Sequence, residues 1–320
     1  MAARRARLTG TGRGVRRRAL ALALLLGALG GVAIAATPPE QLSVEVAGQP
    51  LAVWARHGTN VRGSVVLVHG LTWSARPAFD FEPDSGSRSL LRALAAAGFD
   101  AYAIDLPGYG ASAPEPSGWL APESAVADVE ALLAWVAQHH PGLPPPVLLG
   151  WSRGSKLAAL TATRARAPLG ALILYAYNLD PAAPPDHGPA EAAVPHLPNS
   201  AEWARSDFVS PAVASPRLIE QFAAAALAAD PVRANVCCDA QFLAIRPEAI
   251  RVPTLLIHGA RDPAFKPAVA AAFFNRLATA QRRWVVVGAG DHAAHLEDTA
   301  PEVDAAIVDF ISAALAGTHQ

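Results

Sequence analysis

The chain has 320 residues, long enough to bury a sizeable core in one large domain, or in one domain carrying an insertion. Its formal charge of −1 hides an asymmetry, because seven of the 26 basic side chains, all arginine, precede residue 37 and no acid does. Over the remainder 19 basic side chains face 27 acidic ones, a balance of about −8 that offers no footprint for nucleic acid.

The arginine segment, Arg4 to Arg18, runs into ALALALLLGALGGVAIAA, Ala19 to Ala36, which is uncharged and ends in small residues at Ala33 and Ala35. That order reads as a signal peptide over residues 1–36, cleaved near Ala35, and hence as a secreted or periplasmic mature chain. An N-terminal membrane anchor is the alternative, since an apolar run of about eighteen residues sits at the lower edge of a membrane span.

LSVEVAGQPLAVWARHG, Leu42 to Gly58, alternates apolar with polar on either side of Ala47-Gly48, which predicts an antiparallel hairpin. SVVLVHG, Ser64 to Gly70, is a continuous apolar, largely β-branched run, as expected for a strand covered on both faces. The pattern then alternates: SRSLLRALAAAGF helical, DAYAID a strand, ESAVADVEALLAWVAQHH a helix, PPVLLGW a strand, KLAALTATRARA a helix and ALILYAY a strand. Such alternation predicts an α/β protein with a mostly parallel, doubly wound sheet and right-handed crossovers.

Residues 177–249 interrupt the alternation with a cluster of prolines and then segments such as PRLIEQFAAAALAAD. A structureless loop of that length is improbable, so this stretch reads as a mostly helical cap inserted between two parts of the core, residues 37–176 and 250–320. Within it Trp203, Phe208, Phe222 and Phe242 are candidates either for pocket walls or for the cap's own small core. Strand signals resume at VPTLLIHG and RRWVVVG, with a helix from Pro267 to Leu277 between them and a last helix near Pro301 to Ala316.

Two cysteines are present, Cys237 and Cys238, adjacent in sequence. Neighbouring Cα atoms lie about 3.8 Å apart, short of the roughly 4.4–6.8 Å usual for a disulfide, so a ring between them would be strained. They make no disulfide framework and have the wrong spacing for zinc; they read as two small apolar side chains, with a redox role as the alternative.

The chemistry is signalled by GWSRG, Gly150 to Gly154, between an apolar strand and a helical segment. A G-x-S-x-G turn at that junction is forced into a tight bend that lifts the serine hydroxyl above the sheet edge, and the glycines avoid clashes with neighbouring backbone. A serine is weakly nucleophilic at neutral pH, so this reading requires a histidine base and an acid to hold its tautomer. Both occur downstream, each just past a strand: Asp262 in IHGARDP and His292 in VVVGAGDHAAHLED.

In VLVHG, DLPGYGAS, GWSRGS, HGARDP and GAGDHAAHLE, taken in order, the chain resembles the α/β-hydrolase superfamily across about residues 42–316. The resemblance implies Ser152 as nucleophile, His292 as base and then acid, and Asp262 as its orienter. It further implies oxyanion donors from the backbone N–H groups of Leu71 and Arg153. His295 is the alternative base and Asp180 the alternative acid; Asp291 reads as a solvated loop charge and His69 as a brace for the oxyanion turn. Arg153 is unusual, because a cation at a helix N-terminus opposes the dipole and calls for a compensating partner: a structural carboxylate, an anionic substrate or a contact with the cap.

The remaining histidines show no metal-ligand spacing and no cofactor motif appears, so neither metal nor cofactor is expected. The resemblance implies a serine hydrolase acting through an acyl-enzyme on a carboxylic ester, with a small-molecule acyl substrate as its only partner. Acyltransferase, lactonase, thioesterase and peptidase activities use the same residues, as would a ligand-binding protein on the same fold.

Overall fold

A computed structural model describes residues 37–46, 48–181, 194–210 and 212–316. The expected leader, residues 1–36, lies outside them, as does the proline-rich stretch 182–193. Among the described residues no helix is long and apolar enough to cross a membrane.

The hairpin forms where alternation predicted it, β1 (Glu40–Val46) pairing antiparallel with β2 (Gln49–Arg56). Val46 stands opposite Gln49 across a turn in which Gly48 has φ +82°. The continuous apolar runs become β3 (Ser64–Val68) and β4 (Asp100–Ile104), every residue of both being buried. A two-residue strand β5 (Trp119–Leu120) follows, and then β6 (Val147–Trp151) and β7 (Ala171–Tyr175), also buried throughout. Later come β8 (His196–Pro198), β9 (Val232–Val236), β10 (Thr254–Gly259) and β11 (Arg282–Val287). Eight of these strands build one sheet in the order β1-β2-β4-β3-β6-β7-β10-β11, parallel from β4 to β11.

The helices are α1 (Ala75–Phe79), α2 (Leu90–Ala96), α3 (Pro122–His139), α4 (Arg153–Arg164), α5 (Ala201–Ser206), α6 (Pro216–Ala229), α7 (Pro267–Arg276) and α8 (Ala300–Ala316). The strand period of two divides the core cleanly. Val65 and Leu67 of β3 pack with residues of α2 and α8, whereas Val66 and Val68 pack with residues of α3, α4 and α7. Strand order reverses between β3 and β6, each of which has parallel neighbours reached by crossovers in opposite directions. Such a switch point opens a crevice beyond the strands' carboxyl ends, and it is there that Gly70 and Ser152 emerge.

The insertion is mostly helical, with two short strands that its sequence did not announce. It carries α5 and α6, but β8 and β9 join β5 in a second, three-stranded sheet. The strands are too short for a two-residue period to stand out, and β5 lies more than a hundred residues before its partner β9, a pairing that local pattern does not contain. Asp230, at the end of α6, fastens the insertion down: its carboxylate accepts hydrogen bonds from Gly110 N (2.7 Å), Ser74 N (2.8 Å) and Ser74 Oγ (2.7 Å).

The four aromatics do not share one role. Phe222 is fully buried, with Trp73, Phe81 and Phe208 set edge-on around it at 6.3, 5.5 and 5.3 Å, so it joins insertion to core rather than lining a pocket. Trp203 is 43% exposed, with the Arg233 guanidinium 5.6 Å from its ring centre. Phe222→Ala should therefore lower unfolding stability by about 3–5 kcal/mol, as for other buried aromatics, while Trp203→Ala should cost less than about 1 kcal/mol. Urea denaturation midpoints measure both; equal losses would contradict this division.

Candidate active site

Ser152 joins β6 to α4 in a conformation most residues avoid, φ +55° and ψ −118°. Neighbouring backbone explains the flanking glycines. A Cβ on Gly150 would lie 2.1 Å from Gly154 O, and one on Gly154 would lie 2.2 Å from Val68 O. Both are impossible contacts, so this approach of α4 to β3 admits glycine alone. The turn is held by Ser152 N donating to Tyr175 O (2.9 Å) and by Ser155 Oγ donating to Ser152 O (2.5 Å).

The chain brings Ser152, His292 and Asp262 into one hydrogen-bonded line. Ser152 Oγ lies 2.9 Å from His292 Nε2, and His292 Nδ1 lies 2.8 Å from Asp262 Oδ2. Since a carboxylate only accepts, Nδ1 carries the imidazole proton and Nε2 is left to accept from the serine hydroxyl. Asp262 is buried, and its other oxygen accepts from Ala264 N at 2.8 Å, a local turn that fixes the carboxylate. Trp151 Nε1, from the residue before the serine, donates to His292 O at 2.9 Å.

The two alternatives stand elsewhere. Asp180 is 3.5 Å from Lys266 Nζ. His295 is buried with its ring between Tyr175 Oη (3.1 Å) and Ala78 O (2.8 Å), and burial pushes its pKa down to about 3.

His69 braces its turn in a definite tautomer. Leu106 N–H donates to Nε2 (3.1 Å), so Nδ1 bears the proton and donates to Gly70 O (2.9 Å). Burial lowers its pKa to about 4, which keeps it neutral. Leu71 follows, its carbonyl accepting from Tyr109 Oη at 2.6 Å. Arg153, as the first residue of α4, has no preceding turn to receive its N–H.

Arg153's compensating partner is a carboxylate. Its buried guanidinium reaches both oxygens of Asp239 through Nη1, at 2.7 and 2.9 Å, and lies 5.0 Å from the centre of the Phe242 ring. Phe242 is itself buried and also edges a separate cavity of about 450 Å³ with Tyr177 and Phe273, away from the serine.

Asp291 is not a solvated charge. It is fully buried, and its carboxylate accepts from Ser210 N of the insertion at 2.9 Å. The turn after β11 folds inward because Asp291 N is held by Glu297 Oε2 at 3.1 Å, a contact six residues on that adjacency to His292 does not disclose. Burial and the Asp291 carboxyl beside it push Glu297 up to about 9, so near neutral pH it is an uncharged acid.

A further carboxylate, which no motif marks, arrives from the insertion: Asp207, at the end of α5, accepts from Trp73 Nε1 at 2.7 Å. Burial pushes it up to about 6, against the indole donor and the pull of His292. Burial opposes charge on His292 itself, but the hydrogen bond to Asp262 and the fields of Asp262, Asp207 and Asp291 outweigh it and raise the imidazole above its ordinary value.

This strand order, with a serine elbow at the switch point and an acid and histidine on the next loops, is the α/β-hydrolase fold. A family model described as "Serine aminopeptidase, S33" matches residues 59–299, and the chain belongs to that family of α/β-hydrolases. A Rattus norvegicus protein described as "Putative protein-lysine deacylase ABHD14B" is 39% identical over 94 residues, 27% of this chain and 41% of that one, so the match spans well under half of that relative. Solved structures share the fold, among them a thermophilic esterase from Thermogutta terrifontis (TM-score 0.60, 20% identity, 86% of this chain and 99% of that one) and a monoacylglycerol lipase from Paleococcus ferrophilus (TM-score 0.61, 20% identity, 82% and 99%).

A raised imidazole pKa means the proton on Nε2 is lost only at a pH above the ordinary 6.5. NMR titration of His292 should show this, and Asp207→Asn, which keeps an acceptor for Trp73 but removes a negative charge, should move the midpoint down. A wild-type midpoint below 6.5, or one that Asp207→Asn leaves in place, would contradict this electrostatic picture.

Proposed function

We propose that the protein hydrolyses a carboxylic ester through an acyl-enzyme on Ser152. The observation that carries this reading is the unbroken line from Ser152 Oγ through His292 to Asp262, at 2.9 and 2.8 Å. In this mechanism the hydroxyl oxygen attacks the acyl carbon while His292 Nε2 takes its proton, and Asp262 holds the ring and stabilises the imidazolium. The oxyanion that develops is received by the N–H groups of Leu71 and Arg153, fixed beforehand by the His69 turn and the start of α4. His292 then delivers the proton to the departing alcohol. A water, deprotonated by the same nitrogen, releases the acid.

An ester is favoured over an amide on chemical grounds: an alcohol departs more readily than an amine, and the proposal requires no further group to assist it. The family's description as an aminopeptidase and the rat relative's as a deacylase make amides the comparison that matters. A panel of acyl esters, thioesters, lactones, N-acyl-lysine and aminoacyl amides should show turnover of esters well above that of amides. Amide turnover exceeding that of every ester would transfer the protein to the other class.

Within this reading, Ser152→Ala should abolish turnover and labelling by a fluorophosphonate probe. Asp262→Asn should lower kcat by about 10⁴ with little change in KM, since it leaves His292 in the wrong tautomer without removing a binding contact. Steady-state kinetics and probe labelling read both effects. Undiminished labelling of the Ser152→Ala protein would reject the assignment.

A further inference from the structure

Cys237 and Cys238 stand at the surface of the insertion rather than in an apolar core. They follow β9, where Cys237 N donates to Leu120 O at 3.4 Å, and they lead directly into Asp239, the partner of Arg153. Cys237 is half-buried and Cys238 exposed, with their Sγ atoms 2.7 Å apart. Cys238 holds the left-handed conformation, φ +64°, a backbone that an L-residue adopts only when its surroundings demand it. Two thiols in contact, on a strained turn and open to solvent, are placed to react with each other.

We propose that Cys237 and Cys238 are a reversible redox pair, a dithiol that closes to a vicinal disulfide and, in closing, acts on the Asp239–Arg153 pair beside the nucleophile. The effect on turnover rests on the hydrolase reading above; the redox chemistry does not.

The oxidant is a small disulfide of the glutathione type. The exposed Cys238, its proton given to water, attacks one of the oxidant's sulfurs as thiolate, forming a mixed disulfide and expelling a thiolate that takes up a proton. Cys237, whose proton passes to water, then attacks the Cys238 sulfur and expels the second thiol. Two S–H bonds are lost and one S–S bond forms in the protein, while the oxidant's disulfide is reduced by two electrons to two thiols. Burial and the neighbouring Cys238 push the Cys237 thiol up to about 12, which suits the second, intramolecular role, where proximity offsets a small thiolate fraction. An eight-membered ring across Cα atoms about 3.8 Å apart is strained, and strained, exposed disulfides are the readily reduced ones, so closure is reversible.

Asp239 is the next residue, and both its carboxylate oxygens grip Nη1 of Arg153. Turning the peptide between the cysteines to close the ring displaces Asp239, and Arg153 with it. The N–H of Arg153 is the oxyanion donor proposed above, so closure should slow the chemical step more than it weakens binding.

The test uses the full chain equilibrated in glutathione buffers of graded poise, with Cys237→Ser and Cys238→Ser alongside. Peptide mass mapping should find the segment spanning both cysteines lighter by two hydrogens and resistant to alkylation under oxidising poise, and restored by reductant. Ester turnover by wild type should fall by about tenfold in kcat on closure and recover on reduction, with little change in KM, while the two serine variants stay at their reduced-state rate throughout. Glutathione adducts or unmodified thiols alone in wild type, with no cross-linked peptide, would overturn the redox pair. A disulfide that closes with kcat unchanged would overturn its coupling to Arg153. Reduced protein that turns over no ester counts against the hydrolase reading alone, because thiol mapping needs no turnover.

Discussion

The site depends on one steric constraint, the approach of the first turn of α4 to the end of β3. Gly154 stands where a side chain would penetrate Val68 O, and Gly150 where one would penetrate Gly154 O. Nothing larger fits at either place, and with both ends of the bend pinned Ser152 is left at φ +55°. Such a conformation costs of order 1–3 kcal/mol and persists only because the sheet and helix on either side determine it. In return the serine stands beside the turn after β3, where a Cβ on Gly70 would lie 3.4 Å from Ser152 Cβ. Chain connectivity puts both at the switch point, and the loops after β10 and β11 deliver Asp262 and His292 to the serine.

Charge around the crevice is sorted as carefully as shape. On the histidine side Asp262, Asp207 and Asp291 favour the imidazolium, the ionic form through which the proposed proton transfers pass. Groups that would compete are held neutral: His69 and His295 by burial that lowers their pKa, Glu297 by burial and a neighbouring carboxyl that raise it. On the other side the Arg153 guanidinium, which the helix dipole disfavours, is matched by Asp239 within the protein. The insertion is a working part of this arrangement, supplying Asp207, Asp239 and the Ser210 N–H that binds Asp291.

The features legible in the sequence are those written in local chemistry. β3, β4, β6, β7 and β10 are buried on both faces, so their residues form short, largely apolar runs that the sequence exposes. Ser152 announces itself because its turn needs two glycines at set offsets. What stayed hidden depends on partners distant along the chain. Asp291 looks like an exposed loop acid until Glu297 and Ser210 close over it, Asp207 has no neighbour in sequence that distinguishes it, and β5 pairs with β9 across more than a hundred residues. Phe222 illustrates the same limit: an aromatic in an amphipathic helix reads as core or pocket wall alike, and only Trp73, Phe81 and Phe208 around it decide for core.

The same serine, histidine and acid serve esters, thioesters and amides alike. They commit the chain to a covalent intermediate if the serine acts as proposed, and that intermediate is the most direct object to look for. Rapid-quench mass spectrometry during turnover of an activated ester should find the acyl group on the peptide containing Ser152, formed in a burst and lost at the steady-state rate. Turnover with no adduct at any time, or with the acyl group on another residue, would contradict the account.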